Sequence, residues 1–393
     1  MDFIVVHYAE IALKGSNRGW FENLLVKNIR LKLGSLIESC SREYGQIVIQ
    51  IKPGADIAKI RDVLSRIPGV AYFSIACRCS LDIDTIRKEV LSFLRDKEFK
   101  TFKVNARRHN KNTRLTSREL NNILGSAIEE EYHWKVKMNQ PDLTIKVEIS
   151  DKHAYISCGD IAGTGGLPTN PAQKVVALIS GGFDSPVAAY LMMKRGCTVT
   201  LAHFQNKNQA TEAVENKILE LAKQLARYQT KTRLYITPFE NVQKEIIIKV
   251  KPDLRQLIYR RFMIRIASKI ADKLKAKFLV VGDSLSQVAS QTYENIAATY
   301  PGSEKHILSP LIGLDKEEII RIAKRIGTYE ISAQPYPDCC SYLISKHPEL
   351  RASPEMLEKA ESAFDITALV RDAVKRARVI SPGIRNHAPD TTA

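Results

Sequence analysis

Val175-Val176-Ala177-Leu178-Ile179-Ser180-Gly181-Gly182-Phe183-Asp184-Ser185-Pro186 runs from a short apolar, β-branched stretch into two adjacent glycines and then into helix-forming sequence. The first five residues read as a buried strand. Pro186 suits the first turn of a helix, Ser185 or Asp184 its cap, and Val187 to Met193 its body. Two glycines between a strand and a helix let backbone N–H groups close around an anion at the positive end of the helix dipole, so the expected guest is a phosphate. The loop is not a Walker loop, since no Gly-Lys-Ser/Thr follows, nor the three-glycine dinucleotide fingerprint.

Working outward, apolar runs at 175–179, 198–204, 233–236 and 278–281 alternate with helix-like segments near 186–195, 211–228, 240–250 and 255–275. That alternation predicts a parallel sheet with helices on both faces, whose ligands sit at the carboxyl ends of the strands. His203-Phe204 and Gly282-Asp283 fall at such ends, beside the glycine loop. Further helices are expected over Glu318 to Arg325 and Pro354 to Arg378, before a polar tail. Upstream, Gly163-Thr164-Gly165-Gly166-Leu167-Pro168-Thr169-Asn170 reads as a linker. A domain is therefore placed at 171–393.

The residues before the linker carry two α+β patterns, divided at 1–58 and 59–165. In the first, Phe3 to Val6 and Gln46 to Ile51 are strand-like around an amphipathic helix over Trp20 to Leu33, with Lys14 and Arg18 in a polar connection. In the second, helices are expected over Ile57 to Ser65, Ile83 to Leu94 and Thr116 to Tyr132. Leu143 to Ile149 alternates as an antiparallel strand should. Between Lys97 and Arg118 lie Lys97, Lys100, Lys103, Arg107, Arg108, Lys111, Arg114 and Arg118 against one acid, Glu98. Such a segment suits a phosphate backbone, and its sparse aromatics favour recognition of backbone and duplex shape over stacking on bases.

Composition agrees. A chain of 393 residues with 44% hydrophobic content can bury several cores, and a formal charge of +16 suggests a polyanionic partner. No uncharged apolar run is long enough for a membrane span, and the N-terminus lacks a signal-peptide layout, so the cytoplasm is expected. The seven scattered cysteines argue against a secreted disulfide scaffold, and no CxxC pair suggests structural zinc.

Ser180 to Ser185 resembles the pyrophosphate loop of the ATP pyrophosphatases. With Glu10 to Arg18, Leu115 to Asn121, Tyr259 to Met263, Gly282 to Thr292 and Pro310 to Lys316, the chain resembles the tRNA 4-thiouridine synthetases, or tRNA uracil 4-sulfurtransferases, along nearly its whole length. The resemblance implies an α/β protein with an N-terminal ferredoxin-like α+β domain, a THUMP α+β domain that binds tRNA, and a C-terminal parallel-sheet ATP-pyrophosphatase (PP-loop) domain. It implies Mg2+ and ATP, and an activity that adenylates the C4 oxygen of uridine 8 and replaces it with sulfur. A link to thiamine thiazole synthesis comes with the family.

Adenylation makes sense chemically, because the uracil oxygen would otherwise leave as a hydroxide-like group. Ser180, Gly181, Gly182 and Ser185 would hold phosphates, Asp184 could coordinate magnesium, and Lys316 would neutralise phosphoryl charge. By resemblance the nucleotide also touches Leu178, Ile179, His203, Phe204, Arg260, Gly282 and Gln291. Lys103, Arg107, Arg108, Lys111, Arg114 and Arg118 are the RNA-binding candidates. Cys339 and Cys340, in a segment with two prolines, are the sulfur-handling candidates, Cys340 preferred. Their Cα atoms are about 3.8 Å apart, below the usual span of about 4.4–6.8 Å for a disulfide, so a bond between them would be strained.

Two departures from the family stand out. Only 53 residues follow Cys340, too few for the rhodanese domain of many relatives, which implies a separate persulfide donor (a cysteine desulfurase or rhodanese-like protein) or sulfide. Arg255 to Arg261 holds no cysteine, unlike relatives with an iron–sulfur cluster, so no cluster of that kind is expected. Gln205 to Gln209 and Ser286, where the family often has glycine, are smaller deviations. A homodimer stays open. The alternatives are an ATP pyrophosphatase that amidates a small molecule and a non-catalytic RNA-binding protein. The basic segment and cysteine pair speak against the first, the intact loop and Lys316 against the second.

Overall fold

The computed structural model describes residues 2–43, 45–109, 116–206, 212–335, 345 and 347–382. It divides into two compact units, Met1–Pro168 and Thr169–Ala393.

The first unit contains β1 (Phe3–His7), α1 (Arg18–Leu33), β2 (Ile37–Glu43), β3 (Gln46–Ile51), α2 (Ile57–Leu64), β4 (Tyr72–Cys79), α3 (Ile83–Leu94), β5 (Thr101–Arg108), α4 (Ser117–Tyr132), β6 (Lys135–Val136), β7 (Leu143–Ile149), β8 (Ala154–Cys158) and β9 (Ile161–Ala162). One sheet holds them in the order β2-β3-β1-β4-β8-β7-β5-β6, with β9 also on β4. Two helical layers cover it. Leu25, Ile29, Leu33, Ile60 and Leu64 pack on Ile4, Val6, Ile47 and Ile49. The i,i+4 stripes Ile86, Val90, Leu94 and Leu120, Leu124, Ile128 pack on Phe102, Val104, Ile145 and Val147.

Three sequence expectations change here. Ile60, Leu64, Ile67, Val70 and Phe73 belong to the first core, which therefore runs past residue 58 and into β4. β4 pairs antiparallel with β1 on one side and with β8 on the other, so both halves hang on one strand. β7 is antiparallel only to β8 and runs parallel to β5. The expected linker is stitched down: Gly163 N–H donates to Ala71 O at 2.9 Å and Gly165 N–H to Val70 O at 2.7 Å. A Cβ on Gly163 would lie 2.3 Å from Val70 O, so only glycine allows that approach.

The second unit opens with β10 (Asn170–Leu178), α5 (Asp184–Lys194), β11 (Cys197–Gln205), α6 (Glu212–Ala226), β12 (Leu234–Pro238), α7 (Glu240–Lys249), α8 (Arg255–Leu274) and β13 (Phe278–Val280). It continues with α9 (Tyr293–Thr299), β14 (His306–Leu308), α10 (Lys316–Ile326), α11 (Tyr329–Ala333), α12 (Pro354–Glu361), α13 (Ile366–Arg376) and β15 (Arg378–Ile380). The strand order is β14-β13-β10-β11-β12-β15, parallel except for β15, an edge strand that the sequence reading missed. The helix expected over 354–378 is two helices, the second capped by Asp365, whose carboxylate accepts from Ala368 N–H at 2.9 Å.

Alternate residues of the buried strands serve opposite cores. Val175 and Ala177 face α5, α6 and α10, while Val176 faces α8, α12 and α13. The chain leaves β10 for β11 on one side and later returns to β13 on the other, so the carboxyl end of β10 is the topological switch point of the sheet.

Candidate active site

A cavity of about 280 Å³ opens at that switch point. Leu178, Ile179 and Ser180 enter it from β10, Asp184 and Ser185 from the start of α5, and His203 and Phe204 from β11. Arg260 reaches it from α8, and Gly282 and Gln291 from the segment after β13. Gly181 and Gly182 form the loop itself without lining the cavity. Asp283, Ser290, Met263, Ile264, Val281, Val288 and Gln256 also line it and were not among the sequence candidates, although Asp283 had been placed at a strand end.

The two serines fold the loop. Ser185 Oγ accepts from Ser180 N–H at 2.8 Å and lies 3.1 Å from Ser180 Oγ, and Gly182 N–H reaches Ser180 Oγ at 3.4 Å. Helix α5 begins at Asp184, with no side-chain cap, so the Asp184 carboxylate is not spent on capping. Instead Lys316 Nζ donates to its Oδ1 at 2.7 Å and Gln287 Nε2 to its Oδ2 at 2.9 Å. Lys316 opens α10, two residues before the expected start, because Asp315 and Glu318 form a capping box there. The helix dipole disfavours a cation at that end, so Asp184 supplies the compensating charge.

Gly282 sits against this loop. A Cβ there would meet Ser185 N at 2.8 Å and Ser185 Cα at 2.9 Å, both rigid backbone. His203, buried, shares a hydrogen bond between Nδ1 and Ile179 O at 3.0 Å, tying the ends of β11 and β10 together. Ser286 has φ +62°, in the left-handed region that glycine adopts without cost.

Residues 171–366 match the family described as thiamine biosynthesis protein (ThiI), residues 81–158 the THUMP domain, and residues 3–74 the ThiI ferredoxin-like domain. The Brevibacillus brevis protein described as "Probable tRNA sulfurtransferase" is 38% identical over 382 residues, 96% of each chain. The chain belongs to the tRNA sulfurtransferase family. A Coxiella burnetii relative with the same description is 36% identical over 386 residues, 96% of this chain and 98% of its own. The crystal structure of a 4-thiouridine synthetase–RNA complex with bound ATP matches with a TM-score of 0.88 at 32% identity, over 97% of this chain and 100% of that one. The Pyrococcus horikoshii protein PH1313 shares the fold, with a TM-score of 0.66 at 24% identity over 83% of this chain and all (100%) of its own. Membership in a sulfurtransferase family sets aside the amidating and non-catalytic readings.

For a tRNA sulfurtransferase the thiols matter as much as the nucleotide. Burial pushes Cys40, Cys79 and Cys158 up to about 12, Cys77 up to about 11, and Cys197 upward, which favours the thiol over the thiolate at all five. Cys339 and Cys340 lie outside the described residues. The described residues on either side of them are hydrogen-bonded to α6, to the glycine loop and to the start of α9. Lys217, 3% exposed, donates to Ser332 O at 2.9 Å and Gln334 O at 2.7 Å, and burial holds its ammonium below the usual lysine range. Ser332 Oγ in turn donates to Gly182 O at 3.2 Å. On the far side, Asn295 Nδ2 donates to Glu349 O and Ala289 O, each at 2.7 Å.

The basic candidates do not share one face. On β5, Lys103 and Arg107 alternate away from Phe102, Val104 and Ala106, which bury against α3 and α4. Arg108 is half-buried at the strand's end, and Arg118 is exposed on the first turn of α4, after the Thr116–Glu119 capping box. Lys111 and Arg114 lie outside the described residues. Among the described residues no helix is long and apolar enough to cross a membrane.

Proposed function

We propose that this sulfurtransferase uses ATP to activate the C4 oxygen of uridine 8 in tRNA and replaces that oxygen with sulfur, giving 4-thiouridine. One observation carries the reading: apart from Gly181 and Gly182, the residues expected to touch nucleotide line a single cavity at the switch point, with Lys316 paired to Asp184 beside it. The solved 4-thiouridine synthetase, which holds RNA and ATP, supports it over nearly the full chain.

In this reading ATP supplies the AMP that makes the uracil oxygen a leaving group. Leu178, Ile179, Phe204 and Met263 enclose the base, the hydroxyls of Ser180 and Ser185 and the backbone of Gly181 and Gly182 hold phosphates, and Lys316 neutralises the charge that grows as pyrophosphate departs. Among the described residues no three His, Cys, Asp or Glu side chains gather into a metal site. A magnesium ion, which favours one or two carboxylates plus phosphate oxygens, would be held by Asp184. Cys340 is the preferred sulfur carrier, with Cys339 beside it, its thiolate taking the outer sulfur of a separate persulfide donor whose own thiol is released; sulfide, where it is the source, would attack the adenylated carbon directly and displace AMP. The same sulfur would serve thiamine thiazole synthesis, as the family description suggests. Lys103, Arg107, Arg108, Lys111, Arg114 and Arg118 contribute the phosphate contacts to tRNA, and the reaction belongs to the cytoplasm.

The test supplies unmodified tRNA, magnesium, ATP and a persulfide donor to the full chain and follows 4-thiouridine by its near-ultraviolet absorbance, with pyrophosphate release measured in parallel. Product is expected from the wild type, and Cys340→Ser should lose thiolation while keeping tRNA-dependent pyrophosphate release. Wild-type chain that makes no 4-thiouridine but releases pyrophosphate without tRNA would overturn the reading. Full activity in Cys340→Ser would move the sulfur to Cys339 or to direct attack by sulfide.

A further inference from the structure

A polar cluster runs from the cavity lining back to Tyr300 and Ser309, which no nucleotide motif includes. Asp283, only 4% exposed, follows β13 and gathers three donors. Arg260 Nη2 pairs closely with its Oδ2, Tyr300 O–H donates to the same oxygen at 2.9 Å, and Gln291 Nε2 reaches Oδ1 at 3.3 Å. Arg260 Nη1 also donates to Ser290 Oγ at 3.4 Å. Tyr300 Oη lies 2.5 Å from Ser309 Oγ. A phenol has one proton, so when Tyr300 donates to Asp283 the Ser309 hydroxyl must donate to Tyr300. The polarity of the chain is thereby set: Ser309 to Tyr300 to Asp283, with Arg260 on the carboxylate.

Arg260, Asp283 and Gln291 line the cavity, whereas Tyr300 and Ser309 do not. Burial, with the Asp283 charge adding to it, holds the Tyr300 phenol well above its ordinary value, so it remains a donor. A buried carboxylate with three donors is oriented, and an arginine bound to it by one side of its guanidinium has a fixed plane. We infer that Tyr300 is a positioning residue for the reaction: through Asp283 it fixes the Arg260 guanidinium in the orientation that meets the nucleotide. This rests on the reading that the cavity takes ATP.

The experiment is a double-mutant cycle on the full chain, with ATP affinity measured by calorimetry and thiolation kinetics at saturating tRNA. Tyr300→Phe removes only the hydroxyl and is expected to weaken ATP binding and raise the KM for ATP about five-fold, as one hydrogen bond is worth, with little change in kcat. In an Arg260→Ala background the same change should have no further effect on ATP, which a general loss of packing would not produce. Ser309→Ala, one bond further back, should give a smaller shift of the same kind and keeps the test open should Tyr300→Phe fold poorly. Unchanged ATP affinity in Tyr300→Phe, or an effect that persists at full size in Arg260→Ala, overturns the inference while leaving the ATP reading intact. Wild-type protein that binds no ATP would sink both.

Discussion

The cavity at the switch point and the basic end of β5 and α4 both use charged side chains, and they hold them in opposite ways. In the cavity, Lys316, Asp184, Arg260 and Asp283 each have a partner already in place, and backbone approaches at Gly282 leave no room for drift. Arg107 and Arg118 instead stand exposed on separate elements. Groups fixed before the substrate arrives can act at full strength on developing charge, and a single loss is costly. Exposed cations act by releasing counterions, in small, additive, salt-screened increments.

The largest effect is therefore expected for Lys316→Ala, which should lower the rate of 4-thiouridine formation in single turnover by about 100- to 1000-fold. Its thermal melt should stay close to wild type, since the pair with Asp184 is half-exposed. A rate within a few-fold of wild type would remove Lys316 from the chemistry and erase the contrast. Next comes Gly282→Ala, whose methyl must push the start of α5 away. Overpacking of this kind costs about 1–3 kcal/mol, so ATP affinity measured by calorimetry should fall about tenfold. Unaltered affinity would show that the loop can yield.

On the surface side, Arg107→Ala and Arg118→Ala should each weaken tRNA binding only a few-fold. Each should also reduce the slope of log affinity against log salt by about one. A loss comparable to that of Lys316→Ala would mean that one of them is as fixed as the cavity groups. The smallest effect concerns acid. Burial alone would raise Glu148, yet the hydrogen bond from His7 and the charges of His7 and His109 hold it below the usual carboxylate range. Burial likewise holds His109 below the usual histidine range.

A histidine held low costs stability as pH drops beneath about 6.5, because the unfolded chain takes the proton first. A carboxylate held low stabilises above about 4.3 and loses that contribution as pH falls through its folded value. Both therefore weaken the first unit on acidification, the histidine first. The protection of β7 amides against exchange, taken relative to the intrinsic rate at each pH, should fall below about pH 6.5, and His109→Gln should flatten that first part of the curve. Identical curves for the two proteins would rule His109 out as the cause.

The second unit was legible in the sequence because parallel strands covered on both faces are continuous apolar runs, and because the glycine loop follows one of them directly. The cluster around Asp283 was not. Its members Arg260, Asp283, Tyr300 and Ser309 come from separate elements and meet only through side chains, which leaves no period to read. The start of α10 at Lys316 was hidden for a related reason, since Asp315 and Glu318 read as ordinary surface acids until their reciprocal bonds are seen. In the first unit the division near residue 58 followed composition, but composition says nothing of which strand will lie between two others.

That intervening strand, β4, makes the first unit hard to take apart. The regions matching the ferredoxin-like and THUMP families meet at it, yet it supplies the hydrogen-bonding edge for both β1 and β8. A chain ended near residue 80 would leave β4 with a row of open N–H and C=O groups, while a chain begun there would leave β8 without its partner. The two should then melt and exchange as one cooperative block, and neither is an exchangeable module that could be moved alone to another enzyme.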